Sequence, residues 1–233
     1  FNAFSQCCKE FAKVHHLYIR GWYEWQHFHQ KGEKDGWGWI PGTNTESPNS
    51  EYKRESKIWK TESYLVSFFG RANYSLLDRY LFTVTVRHDG SSRFKEHWAT
   101  FPSFSAAWNI TEESFMEDQD LFDNLKLRAG YGVSGNAMGF DAFTAVATYG
   151  ATGFFDYNGK MWRTLGATKN ANPNLKWETT GMFNVGLDYG LFDGRLNGSI
   201  EFYNKVTDDL IWNYPVSTNI YPFGNIDANV GKI

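Results

Sequence analysis

Several things are scarce in this sequence, and each scarcity removes a class of protein. No stretch approaches the roughly 18 consecutive apolar residues that a spanning helix needs, and the mean hydropathy is -0.51, which excludes a helical membrane protein. A membrane barrel stays open, because a barrel strand shows lipid only at every second residue and so averages out as polar. Cysteine is confined to two adjacent positions, Cys7 and Cys8. Sequence neighbours rarely reach a relaxed disulfide geometry, so no disulfide framework is expected. A surplus of positive charge is also missing: the net charge is -3 and the basic residues are scattered, which argues against a nucleic-acid footprint. The opening "FNAFSQCCKEFAKVHH" lacks the basic end, apolar middle and small-residue cleavage site of a secretory signal. Either the protein stays inside the cell or this chain is an internal piece.

What is present points to antiparallel β-structure. Aromatics make up 18% of the residues, with 10 Trp, and there are 22 Gly; such strands with few helical stripes suit an all-β chain. The stretch "MFNVGLDYGLFDGRLNGSIEFYNK" (182 to 205) alternates apolar and polar residues on both sides of a Phe-Asp-Gly turn. Successive strand side chains point to opposite faces. Phe183, Val185, Leu187, Tyr189 and Leu191 therefore share one face with Leu196, Ile200, Phe202 and Val206, against Asn184, Asp188, Asn197 and Glu201 on the other. The same alternation predicts strands at 22 to 29, 62 to 75, 80 to 90, 100 to 110 and 125 to 133, and at least one more beginning in "DDLIWNYPVSTN". The first twenty residues have no clear period beyond an amphipathic turn or two. Lys31 to about Lys57 reads as a long loop, and "TEESFMEDQDLFDN" as an acidic turn with room for one short helix.

Two regularities set the class. Strands of about ten residues recur, and the connections alternate between short (75 to 79, 111 to 124, 191 to 194) and long (31 to 58, 89 to 98, 134 to 175). If consecutive strands pair, short turns gather at one end and long loops at the other, as in outer-membrane barrels; sandwich strands are usually shorter. Tyr64, Tyr74, Tyr80, Trp108, Trp177 and Tyr189 fall near strand ends on the apolar face, where an interfacial girdle would lie. The apolar face is thus expected to touch lipid. The opposite face, with Ser67, Arg71, Thr83, Thr85, Arg87, Lys126, Arg128, Glu178, Asn184, Asp188, Asn197 and Glu201, is expected to line a wet lumen with charges of both signs.

The segments "SYLVSFFGRANYSLLDRYLFTVTVRHDGSSRF", "WATFPSFSAAWNITEESFM", "LFDNLKLRAGYGVSGN" and "NPNLKWETTGMFNVGLDYGLFDGRLNGSIEFYNKVTDDLI" resemble, in order and spacing, the late barrel of SusC/RagA-type TonB-dependent outer-membrane transporters. The resemblance runs from about residue 22 to 233. It implies an all-β, antiparallel up-and-down meander forming part of a 22-stranded transmembrane β-barrel, with short periplasmic turns and long extracellular loops. It also implies TonB-dependent import of an oligosaccharide or peptide across the outer membrane of a Gram-negative bacterium. The implied partners are a SusD-like surface lipoprotein and the TonB-ExbB-ExbD complex, the latter reached through a plug and TonB box that this sequence does not contain. Residues 1 to 20 match the pattern poorly and stay an unassigned leader; 21 to 233 read as a partial barrel. The chain ends at "NVGKI" without the terminal aromatic strand, so a fragment unlikely to transport alone is expected, with unpaired edges.

Enzyme signatures are weak. "GYGVSG" (130 to 135) fits G-x-G-x-x-G, but no helix pattern follows it, so no dinucleotide site is expected. His27 and His29 share a strand face like a His-x-His ligand pair, yet two imidazoles without a partner ligand make a weak site, better read as surface or lumen polar residues, and no metal or other cofactor is expected. Spacing assembles no Ser-His-Asp set and no nucleophile elbow, so the chain is not expected to be an enzyme. The best ligand-binding candidates are aromatics assigned to loops: Trp37 and Trp39 in the first long loop, and Phe155, Tyr157 and Trp162 with Arg163 in the third. Flat rings stack on sugars or peptide side chains, and polar neighbours fix orientation. The rival reading is a soluble secreted β-sandwich that binds carbohydrate through the same aromatics. It requires Phe183, Leu187, Phe202 and Val84 to be buried between two sheets.

Overall fold

The computed structural model describes residues 2–11, 14–39, 52–136 and 143–233. In chain order the strands are β1 (Asn2–Phe11), β2 (His15–Trp39), β3 (Tyr52–Leu76), β4 (Tyr80–Ser91), β5 (Trp98–Asn109), β6 (Phe122–Asn136), β7 (Tyr149–Tyr157), β8 (Lys160–Ala167), β9 (Glu178–Leu191), β10 (Leu196–Asp208), β11 (Leu210–Pro215) and β12 (Asn225–Gly231). Eight of them form one sheet in the order β1-β2-β3-β4-β5-β6-β9-β10, while β7-β8 and β11-β12 are separate two-stranded ribbons. All pairs in the sheet are antiparallel.

Register explains how the two faces stay distinct. Ala72 opposes Val84, Val84 opposes Phe104, Phe104 opposes Tyr131 and Tyr131 opposes Phe183, giving one apolar row across five strands. A slip of one residue at any pair would break this row, because the side-chain period is two. The row is not covered: Val84 is 45% exposed, Phe183 44% and Phe202 65%, with Val185 and Leu187 half-buried. Among the described residues no second sheet packs there, so the sandwich reading fails at the residues it needed buried. An exposed apolar band this wide on a single sheet is what a lipid-facing wall requires.

Connections divide by length as the meander demands. At one end lie 12–14, 77–79, 110–121 and 192–195; at the other lie 40–51, 92–97 and 137–177, followed by the β11-β12 ribbon. The tight turns use left-handed backbone at Leu77, Asp78, Phe192 and Asp193. The acidic turn after β5 holds two short 3-10 turns, Ile110–Glu112 and Ser114–Met116.

Three expectations require correction. Residues 31–39 and 52–57, read as loop, continue β2 and β3, with Trp37 opposite Arg54 and Trp39 opposite Tyr52. The stretch "KGEKDG" (31 to 36) is polar or glycine throughout and carries no alternation for sequence reading to detect; 40–51 lies outside the described residues. Positions 2–11 and 15–20, which show no period, are strand as well, Cys7 standing opposite Ile19. Finally, the segment 149–167 inside the third long connection is itself a hairpin. Asn158 and Gly159, at φ 55° and 71°, form its two-residue turn, the Asn-Gly chemistry that this turn favours.

The buried core sits on the polar side of the sheet, under the long connections. Phe94, Phe101, Ala145, Leu175, Trp177 and Ile211 form it, with Leu65, Ala99 and Val133 packed against them. Trp177, expected in the girdle, is therefore 6% exposed within this cluster, meeting Phe94 and Phe101 edge-on or tilted. The segment beneath is pinned by amide side chains. Asn170 donates to the carbonyls of Phe223 and Asn225 at 2.6 and 2.8 Å, and Asn172 donates to that of Asp227 at 2.9 Å. Asn229 accepts from the Lys176 amide at 2.9 Å and donates back to its carbonyl at 3.1 Å.

Candidate functional site

The wall opposite the apolar band is built from alternate residues of neighbouring strands. Arg128 on β6 reaches Asp188 on β9 through Nε at 2.7 Å and Nη2 at 2.8 Å, and Nη2 also donates to Glu201 on β10 at 2.6 Å. One guanidinium thus ties three strands by a fork and a third bond. Gly186 stands between them, and a Cβ there would lie 3.1 Å from Arg128 Nη2. Gly130, in the G-x-G-x-x-G stretch, lies mid-strand in β6 and leaves room for Asn184; its role is close packing.

Further toward the long loops, Arg71 Nε donates to Thr85 Oγ1 at 3.2 Å. Arg87 Nε pairs with Asp89 at 2.8 Å, and Arg87 Nη2 reaches Ser67 Oγ at 3.3 Å. Arg71, Thr85, Arg87 and Asp89 line a cavity of about 320 Å³ together with Ser103, Ser134, Phe69, Phe101 and Trp177. Trp177 Nε1 is buried there without a hydrogen-bond partner among the described residues. The cavity therefore joins hydrogen-bond donors, one carboxylate and aromatic rings directly beneath the loop core. That mix suits a polar ligand with an apolar face. Glu178 falls opposite Asn136 at the start of β9.

The predicted loop aromatics are only partly brought together. Phe155 opposes Trp162 and Tyr157 opposes Lys160 across the β7-β8 ribbon, so the three rings share a face. They are 51%, 53% and 69% exposed, an open aromatic surface. Arg163 stands opposite Phe154, and its side chain lies outside the described residues, as do those of Trp37 and Trp39. The cavity lined by Arg71, Arg87 and Trp177 escaped sequence reading as a site. Its lining comes from β3, β4, β5, β6 and Trp177, between residues 65 and 177 of the chain, and only tertiary folding brings them together.

At the short-turn end, the girdle is anchored. Tyr80 and Trp108 stack at 6.4 Å. Tyr80 Oη and Trp108 Nε1 both donate to Glu113 Oε1, at 2.6 and 2.8 Å, and Arg79 reaches Glu113 Oε2 at 3.3 Å. These donors hold the Glu113 carboxyl below the usual glutamate value, the tyrosine bond contributing most and the tryptophan next.

Comparison with known proteins agrees with this architecture. The family model described as TonB dependent receptor-like, beta-barrel, matches residues 11–233. The TonB-dependent receptor SusC of Bacteroides thetaiotaomicron is 41% identical over 216 residues, covering 90% of this chain and 21% of that protein. TonB-dependent receptor P39 of Formosa agariphila is 40% identical over 176 residues, covering 74% of this chain and 16% of that protein. The chain thus spans about a fifth of the length of the curated relatives it matches. Among solved structures, the RagAB peptide transporter superposes with a TM-score of 0.79 at 23% identity, covering 99% of this chain and 26% of that one. The RagAB peptide importer in its "closed-closed" state gives a TM-score of 0.82 at 20% identity, again covering 99% of this chain and 26% of that one; at such identities the likeness is one of fold. The relatives are receptors and transporters, not enzymes, and this chain belongs to the TonB-dependent receptor β-barrel family.

Proposed function

We propose that this chain forms a stretch of barrel wall in an outer-membrane importer that takes up an oligosaccharide or a peptide with energy from TonB-ExbB-ExbD. In this reading a SusD-like surface lipoprotein covers the long-loop end. The observation that carries it is the pair of opposed faces on one sheet. An uncovered apolar row runs through Val84, Phe104 and Phe183, and the other face carries the Arg128-Asp188-Glu201 network and the cavity at Arg71 and Arg87. The apolar row meets lipid, the charged face meets water, plug and passing solute, and the long connections lie outside the cell. Residues 21 to 233 are the barrel part; the first twenty add β1 and the start of β2 at its edge.

Substrate contact falls to the long-loop end, through the exposed rings of Phe155, Tyr157 and Trp162 with Arg163, through Trp37 and Trp39 on the β2-β3 hairpin, and through the cavity beneath. Lumen charges of both signs make the wall a hydrogen-bonding surface and not a filter for one charge. The test is uptake by cells whose only copy of the full-length transporter is wild type or carries Phe155→Ala with Trp162→Ala. Uptake of one labelled oligosaccharide or peptide class that disappears on deletion of TonB supports the reading. Uptake of neither class, or uptake independent of TonB, overturns it. Loss in the double variant with normal surface expression assigns the rings to substrate; unchanged uptake removes them from the site.

A further inference from the structure

His27 and His29 on β2 stand two residues apart on the face that also carries Tyr23 and Trp25, beyond the aromatic ring of Tyr64. Spacing along the chain does not say which carboxylate would join them. The fold supplies one: β3 places Glu62 directly opposite His29. Glu62 Oε1 lies 3.2 Å from His29 Nδ1, and Glu62 Oε2 lies 3.9 Å from His27 Nε2. One donor atom from each of the three residues falls within 4.8 Å of the others.

From this geometry we infer a divalent transition-metal site, of zinc type, at His27, His29 and Glu62 on the outer rim of the β2-β3 hairpin. Two imidazoles and one carboxylate are a recurrent zinc ligand set that leaves a fourth position for water. With metal-ligand bonds of about 2.0–2.1 Å, tetrahedral ligand atoms stand about 3.3 Å apart. The His29-Glu62 separation already meets this, and small side-chain rotations bring in His27. The His27 ring is held by Tyr64, stacked at 4.5 Å and 9°, whose hydroxyl also donates to Glu62 Oε2 at 3.4 Å. This outer partner orients two of the three ligands, as the supporting shell of metal sites commonly does.

Lys60 gives the site its particular chemistry. Its Nζ lies 2.5 Å from Glu62 Oε1, so an ammonium occupies the carboxylate when no metal is bound. A dication replaces it by offering bonds to both imidazoles as well, and Lys60 swings to solvent. Bound metal clips β2 to β3 just outside the girdle, at the height of lipid headgroups, and stiffens the hairpin that carries Trp37 and Trp39.

The test is calorimetric titration of the full-length transporter in detergent with zinc chloride, with folding of each variant checked by its gel mobility before and after heating. The expected result is one saturable site whose affinity falls at least tenfold in His29→Ala and in Glu62→Gln. In Lys60→Ala it rises several-fold, because the internal competitor is gone. Absence of saturable zinc uptake overturns the site. So does uptake that survives both His29→Ala and Glu62→Gln unchanged, since binding would then lie elsewhere, for instance at the exposed Cys7 thiol.

Discussion

Arg128 shows how one residue on the wet wall serves the strands around it. Its guanidinium satisfies Asp188 with two bonds and Glu201 with one, yet its side chain is 34% exposed, so solvent screening limits what the pair is worth. Arg128→Lys keeps the charge and loses the fork, and is expected to cost about 1 kcal/mol in unfolding free energy. Arg128→Ala leaves two carboxylates facing each other and costs about twice that by the same reasoning; urea unfolding in detergent reads both. Glu113 offers a pH test at the other end of the barrel wall. Its folded pKa is lowered by the Tyr80, Trp108 and Arg79 donors, so its stabilisation is fully present above the ordinary glutamate value of 4.5 and is lost as pH falls through the lower folded value. Wild-type barrels should therefore lose stability below that ordinary value more steeply than Glu113→Gln barrels. Parallel melting curves for the two proteins would dismiss the idea.

At the scale of the strand, alternation decides what a substitution does, and neighbouring residues give opposite outcomes. Phe104 lies in the apolar row between Val84 and Tyr131, while Ser105 lies opposite Thr83 and Gly130 on the polar face. An arginine facing lipid near mid-bilayer costs about 2–4 kcal/mol, whereas lumen positions tolerate charge. Phe104→Arg is thus expected to reduce folded protein in the outer membrane sharply, and Ser105→Arg to leave it near wild type; heat-modifiable gel mobility of membrane fractions separates them. Equal loss in both would mean the faces are wrongly assigned. The same alternation made β3 to β6, β9 and β10 legible in the sequence, since each has one face against lipid and one against water. It failed for the outer halves of β2 and β3 and for β1, where "KGEKDG" is wet on both sides and the outward register positions Ser5, Cys7 and Lys9 are not apolar. The metal-ligand set was half legible: the His-x-His spacing is local, but Glu62 arrives only through strand pairing 33 residues later. The aromatics at Phe155, Tyr157 and Trp162 were legible as candidates but were read as loop residues; they stand on two strands joined by the Asn158-Gly159 turn.

Across the whole chain, the buried core among the described residues lies away from the strand-strand interface, where the long connections fold back on the wet face. Phe94 and Leu175 are each 1% exposed, and Trp177 is 6% exposed among them. This cluster joins residues from the β4-β5 connection, β5, the 143–177 segment and β11. No sequence period announces it, because its members are scattered, three in the 143–177 segment and one each in the β4-β5 connection, β5 and β11. The sheet is held by strand pairing and by its apolar face in lipid, whereas the loops are held by this core and by the Asn170, Asn172 and Asn229 amide bonds. The two should therefore fail separately. Trp177→Ala removes the largest ring from the cluster, and truncating a buried aromatic of that size costs about 3–5 kcal/mol. That loss falls on local closure of the loops and not on the barrel wall, because Trp177 precedes β9 and makes no strand pair. The expected outcome is fast protease cleavage within 143–177 in the variant, with heat-modifiable mobility and membrane insertion unchanged. If instead the variant barrel fails to assemble while its loops stay resistant in whatever folds, the loop core is part of the wall's own folding nucleus and the separation drawn here is wrong. Asn170→Ala provides the milder companion, freeing the carbonyls of Phe223 and Asn225 and raising cleavage without altering the apolar cluster.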